Sequence, residues 1–127
     1  MADKTQIYHC EICGQVVSVL TKGAGTLVCC GVDMTLLVPN STDASEEKHV
    51  PVVTRDGDTY TIEVGEVPHP MEPNHYIDFI VFECAGSSCV YKLDVDGPPS
   101  KTITMCTCEP TAVYAFCNIH GLFKASN

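Results

Sequence analysis

Three observations predict an all-β protein in two parts, a small metal-bound unit followed by an antiparallel β-sandwich. Short runs rich in valine, isoleucine, threonine, tyrosine and phenylalanine recur between turn residues along the 127-residue chain. No stretch carries a 3.6-residue apolar stripe bounded by helix caps. Four cysteines, Cys10, Cys13, Cys29 and Cys30, crowd into the first 30 residues, a set that can close a tetrahedral sulfur site.

Residues 1–37 read as the small unit. Ile7, Val16, Val17, Val19, Leu20, Leu27 and Val28 predict short strands, with Gly23-Ala24-Gly25 as the turn between the cysteine pairs. In Cys10-Glu11-Ile12-Cys13-Gly14 two intervening residues let backbone N–H groups turn toward the sulfurs. Cys29-Cys30 is a different problem, because neighbours in an extended strand point to opposite faces. Both thiols reach one metal only if the backbone leaves strand geometry there, so a distorted tetrahedron is expected. Disulfides or buried free thiols are the other uses of such a set. A unit this small buries little apolar surface, and a metal would supply folding energy. Residues 38–47 are mostly polar and read as a linker.

Residues 48–127 read as the sandwich. Residues 50–53 form a first strand, and Asp56-Gly57-Asp58 a turn. Strands follow at Thr59–Val64 and at 76–83, then a turn at Ala85-Gly86-Ser87-Ser88. A strand at 89–95 ends at Gly97-Pro98-Pro99, and strands at 101–106 and Ala112–Cys117 complete the expected count. Short strands at this spacing indicate an antiparallel sandwich.

Nine cysteines are an odd number, which argues against a fully paired disulfide framework. Met1-Ala2-Asp3-Lys4 leads into polar residues rather than a signal-peptide core, and no apolar run approaches a membrane span. Reduced thiols used as ligands point to the cytoplasm. Sixteen acidic residues against seven basic ones give a net charge of −9. That field disfavours nucleic acid and acidic membranes, and it repels an anionic substrate unless the site is locally positive.

Of the five histidines, His9 adjoins the first cysteine knuckle. The other four lie at loops or strand edges of the second part: His49 before a strand, His69 between Pro68 and Pro70, His75 before the next strand, and His120 near the end of the sequence. Singly, each would pass for an ordinary turn residue. Together, and with Cys117 and His120 at C-x-x-H spacing, they form a donor set. Imidazoles suit iron, zinc, copper or nickel, and a thiolate adds a soft, electron-rich ligand. A structural zinc site stops at four ligands. Five donors suit six-coordinate iron with one open position, where a small anion is attracted and a thiolate pushes electron density.

These motifs resemble desulfoferrodoxin, the two-iron superoxide reductase family. The resemblance rests on residues 8–14 and 27–34 in the first part. In the second it rests on Glu47-Lys48-His49-Val50-Pro51-Val52, Gly65-Glu66-Val67-Pro68-His69-Pro70-Met71, His75-Tyr76-Ile77-Asp78-Phe79 and residues 117–124. It implies an iron–tetrathiolate centre on Cys10, Cys13, Cys29 and Cys30. It implies a catalytic iron with His49, His69, His75 and His120 in its plane and Cys117 axial. Lys48 would attract superoxide or help protonate the product, and Glu47 would fill the sixth position after turnover. The sandwich would be immunoglobulin-like, the protein a homodimer, the electron donor rubredoxin-like, and the reaction the one-electron reduction of superoxide to hydrogen peroxide without dioxygen release. An electron carrier with two iron sites and a zinc-stabilised interaction module are the competing classes.

The sequence departs from the family in two ways. Phe79 and Phe123 stand where tryptophan is usual, keeping an aromatic packing group without the indole N–H. Cys84, Cys89, Cys106 and Cys108 are not required by either motif. Cys84 and Cys89 flank a turn and are placed to face each other across a hairpin, and Cys106 and Cys108 share a face if extended. Free thiols, a disulfide and a further metal site are the three readings of this group.

Overall fold

The computed structural model describes residues 6–40, 49–104 and 108–125. Among these there are twelve strands and no helix. The chain divides into two compact units, Met1–Val38 and Pro39–Asn127. Most of the expected linker, residues 41–47, lies outside the described residues.

In the first unit β1 (Gln6–His9) pairs with β2 (Val16–Val19) on one side and β5 (Thr35–Leu36) on the other. A separate hairpin joins β3 (Val28–Cys29) to β4 (Val32–Asp33). Ile7 and Cys10 are the buried apolar residues among those described here, while Leu20 is 91% and Val38 82% exposed. An apolar core of two side chains falls far short of the ordering entropy, about 1 kcal/mol or more per residue.

The second unit is a two-sheet sandwich. One sheet has the order β10-β7-β6, from β6 (Pro51–Asp56), β7 (Thr59–Val64) and β10 (Ser100–Ile103). The other has the order β12-β11-β8-β9, from β8 (Ile77–Cys84), β9 (Ser87–Lys92), β11 (Ala112–Cys117) and β12 (Gly121–Lys124). All pairings between these strands are antiparallel. Alternate residues face inward: Tyr60, Ile62 and Val64 from β7 meet Ile80, Phe82 and Cys84 from β8 and Val113, Ala115 and Cys117 from β11.

Three details correct the sequence expectation. β12 was not foreseen, because Gly121–Lys124 is four residues long with adjacent Leu122 and Phe123 both buried, so it shows no alternation. β9 begins at Ser87, two residues inside the expected turn, because Gly86 takes φ 81° and reverses the chain alone with its neighbour. Cys84 does not oppose Cys89: the register pairs Cys84 with Ser87 and Cys89 with Phe82. Cys84 is instead disulfide-bonded to Cys108, and Cys89 is an exposed free thiol. Cys106 lies outside the described residues.

Antiparallel connection gives the sandwich two distinct ends. At one lie the start of β6, the end of β7, the start of β8 and the β11–β12 turn. At the other lie the β6–β7 turn, the end of β8 and the approach to β11.

Candidate metal centres

The first donor set is built by two turns. Cys10 follows β1, and its thiol accepts the Cys13 amide at 3.5 Å. The turn closes through Gly14 N–H to the Cys10 carbonyl at 2.9 Å, with Gly14 at φ 85°. Cys29 ends β3 and pairs with Val32, leaving Cys30-Gly31 as a two-residue hairpin loop. Cys30 has φ 55° and Gly31 φ 76°, the two positive values that a type I′ turn demands. Cys30 is the sole non-glycine residue with positive φ among those described. This is the departure from strand geometry that adjacent metal-binding cysteines require, at about 1–2 kcal/mol for a side chain in that conformation.

The four sulfurs lie within 4.8 Å of one another. Cys13 and Cys29 are 3.6 Å apart and Cys29 and Cys30 4.0 Å. Metal–sulfur bonds of about 2.3 Å in a tetrahedron put sulfurs about 3.8 Å apart, so the set fits a metal. Without a cation the thiols divide their protons unequally. The Cys13 amide, opposed by burial, brings Cys10 down to about 6, while hydrogen bonding with Cys10 and Cys13 pushes Cys29 up to about 12. Four thiolates together need a positive ion among them.

The second donor set collects at one end of the sandwich. His49 precedes β6, His69 and His75 lie in the β7–β8 connection, and Cys117 and His120 bracket the β11–β12 turn. The four imidazoles form a ring of neighbours. Centroid separations are 4.6 Å from His49 to His69, 4.7 Å from His69 to His75, 5.3 Å from His75 to His120 and 4.8 Å from His120 to His49. The diagonal from His49 to His75 is 6.5 Å. Four short sides and a long diagonal describe a square.

Donor atoms follow the same plan. His120 Nδ1 is 3.0 Å from His49 Nε2, the spacing of adjacent corners for metal–nitrogen bonds of about 2.1 Å. Cys117 Sγ lies 3.6 Å from His69 Nε2 and 3.8 Å from His120 Nδ1, touching two opposite corners. The donor atoms of His49, His69, His75 and Cys117 all fall within 4.8 Å of one another; His120 joins them through its contacts to His49 and Cys117. Cys117, His49 and His69 are buried while His120 is exposed, so the site is a rim with a sealed thiolate side.

Neighbouring groups aim these ligands. His69 Nδ1 sits 2.8 Å from the Pro70 carbonyl; donating there leaves the Nε2 lone pair for a metal. Phe123 stacks on His49 at 4.5 Å and 15°, and Phe79 stacks on Phe116 at 5.2 Å. The β8–β11 register slips between Phe116 and Cys117, so that Cys117 opposes Ile77. The extra residue, Asp78, is on β8, so the bulge brings Ile77 into the inward row out of step with Ile80, Phe82 and Cys84, while Cys117 keeps the alternation of Val113 and Ala115. Sequence reasoning missed two further groups. Asn118 accepts the Tyr76 amide at 2.8 Å and donates to the Asn74 carbonyl at 3.1 Å, binding the His75 loop to the turn that carries Cys117 and His120. The Ile77 amide donates to Met71 Sδ at 3.4 Å, closing the same loop from its other side. Both lie within the motifs that carry the family resemblance, Asn118 next to Cys117 and Met71 between two ligand histidines. Glu47 and Lys48 lie outside the described residues.

Known proteins match this chain along its whole length. A family model described as "Desulfoferrodoxin, N-terminal domain" matches residues 2–37, and one described as "Desulfoferrodoxin" matches residues 41–126. A desulfoferrodoxin of Syntrophotalea carbinolica is 42% identical over 125 residues, 98% of each chain. A superoxide reductase of Thermococcus kodakarensis is 32% identical over 102 residues, 66% of this chain and 89% of its own. The crystal structure of the superoxide reductase from Treponema pallidum superposes with TM-score 0.81 over 96% of this chain and 98% of its own; at 24% identity it establishes a shared fold.

Proposed function

The chain belongs to the desulfoferrodoxin family, and from that premise we propose that it is a superoxide reductase. The reaction is superoxide + e⁻ + 2 H⁺ → hydrogen peroxide, at the site of His49, His69, His75, His120 and Cys117. The observation that carries this reading is the square of imidazoles with a buried thiol on one side. Cys117 is sealed in the core while the His120 side is exposed, which leaves the rim as the approach for a small solute. These five residues would hold iron, which would supply the electron and Lewis acidity toward an oxygen anion.

The residues divide the work. Neutral imidazoles and a single thiolate leave a divalent cation with net positive charge, a local attraction in a chain of net charge −9. Lys48, next to His49, adds a second positive charge toward the incoming anion. Glu47, two residues before His49, would supply a carboxylate to the site once product has left. Phe123 holds His49 by stacking, and Asn118 fixes the two loops against each other. Residues 1–37 form the iron–tetrathiolate domain with Cys10, Cys13, Cys29 and Cys30, residues 38–47 the linker, and residues 48–127 the catalytic domain. The electron comes from a rubredoxin-like donor, the protein acts as a cytoplasmic homodimer, and neither nucleic acid nor membrane is a partner.

A pulse of superoxide applied to the loaded, reduced protein tests the reaction. One equivalent of hydrogen peroxide should appear per superoxide consumed, with no dioxygen. Peroxide and dioxygen in equal amounts would mean dismutation. Unchanged superoxide decay with a redox-active tetrathiolate centre would leave an electron carrier.

A further inference from the structure

We propose that Cys84 and Cys108 form a third redox site, a thiol pair that hydrogen peroxide closes and an external dithiol reopens. Five of the nine cysteines belong to the two donor sets. Of the other four, Cys106 lies outside the described residues, and Cys89 is an exposed thiol on the edge strand β9. Cys84 and Cys108 are joined, with their Cα atoms 6.4 Å apart. Their place in the fold gives the bond a reversible character.

Cys84 ends β8 within the core and is 8% exposed. Cys108 is half-buried and packs against the same core from the connection that crosses from β10 to β11, from one sheet to the other. That connection is anchored without the sulfurs. The Thr111 amide donates to the Glu83 carbonyl at 2.7 Å, and the Thr111 hydroxyl donates to the Glu83 carboxylate at 3.2 Å. On the other sheet, Arg55 Nη1 donates to Glu109 Oε1 at 3.0 Å. Breaking the sulfur bond therefore leaves the thiols facing each other, each next in sequence to an anchored residue. A pair held in this way re-forms its bond at high effective concentration.

Exposure assigns the roles. The Cys108 thiolate attacks peroxide: Cys108–S⁻ + H₂O₂ + H⁺ → Cys108–SOH + H₂O. The buried Cys84 thiol then condenses with it, giving the disulfide and a second water. In the return direction an external thiolate forms a mixed disulfide at Cys108 and expels Cys84, and the reagent's second thiol releases Cys108. Peroxide as the natural oxidant rests on the function proposed above. The pair cannot share electrons directly with the imidazole site. The eight residues of β8 separate the two ends of the sandwich by about 23 Å, so peroxide must travel.

The test supplies peroxide directly, so it stands whether or not superoxide is the substrate. Metal-loaded full-length protein is reduced, desalted, titrated with hydrogen peroxide, quenched with N-ethylmaleimide and mapped by mass spectrometry. The Cys84–Cys108 cross-linked peptide should rise at least tenfold while the tetrathiolate absorption is unchanged. Dithiothreitol should reverse it in the folded protein, and Cys89→Ser should behave alike. In Cys84→Ser, dimedone should label Cys108. The proposal is overturned by a cross-link that resists dithiothreitol in folded protein. It is equally overturned if peroxide bleaches the metal centre or modifies Cys89 before any cross-link forms, or if dimedone fails to label Cys108 in the variant.

Discussion

Asn118 uses both ends of its amide to join the two loops that bring His75, Cys117 and His120 together. Asn118→Ala removes both bonds, and groups that support metal ligands typically govern affinity by about 10–100-fold. Iron at the second site should be lost to a chelator at least tenfold faster, with the tetrathiolate spectrum unchanged. Asn118→Asp keeps the acceptor for Tyr76 and should fall between; equal chelation rates in all three would remove Asn118 from the site. For Lys48 the expectation concerns encounter. Lys48→Ala should slow superoxide association severalfold, and added salt should slow the unmodified protein more than the variant. Pulse-radiolysis rates across a salt series check both. Tyr114 gives a pH prediction. Burial, and then the Glu83 carboxylate, raise its hydroxyl above the ordinary tyrosine range. The unfolded chain thus ionises first, so stability present below about pH 10 is lost as pH rises through the raised value. Urea unfolding above that pH should show a decline that Tyr114→Phe reduces.

At the scale of elements, what was legible depended on how much of each signal is local. Thr59–Val64 and Ala112–Cys117 were placed to the residue, because each alternates or is continuously apolar between clear turn signals. The bend at Cys29-Cys30 was legible from the conflict between strand geometry and a shared metal, and the type I′ turn resolves it. β12, the bulge opposite Cys117 and the Cys84–Cys108 bond were not legible. Each depends on which strands become neighbours, information that pairing supplies and single strands do not contain. The hairpin that carries Cys30 predicts a separable lesion. Cys13→Ser should abolish the tetrathiolate absorption and loosen the first unit. Superoxide consumption by an already reduced second site should persist, because all five of its donors lie in the other unit. Loss of that single-turnover reaction in a variant retaining the second iron would contradict the separation.

At the scale of the whole molecule, the donor residues of the second site could be read from the sequence, but their square could not. His49, His69, His75 and His120 come from three separate connections, and they meet because antiparallel strands return those connections to one end of a sandwich. The two units also differ in what sustains them. The second has a continuous core between two sheets, whereas among its described residues the first buries Ile7 and Cys10. A unit with so little inside exists as long as its metal stays bound. Metal supply therefore sets the length of chain that survives exposure to proteases. Chelated protein treated with trypsin should be cut first within residues 6–38 and leave a resistant fragment of the sandwich, while the loaded protein stays whole; gel and mass analysis would distinguish these outcomes. Loss of metal from the first unit alone would thus leave a shortened, single-site form of the protein, made without any change in its gene.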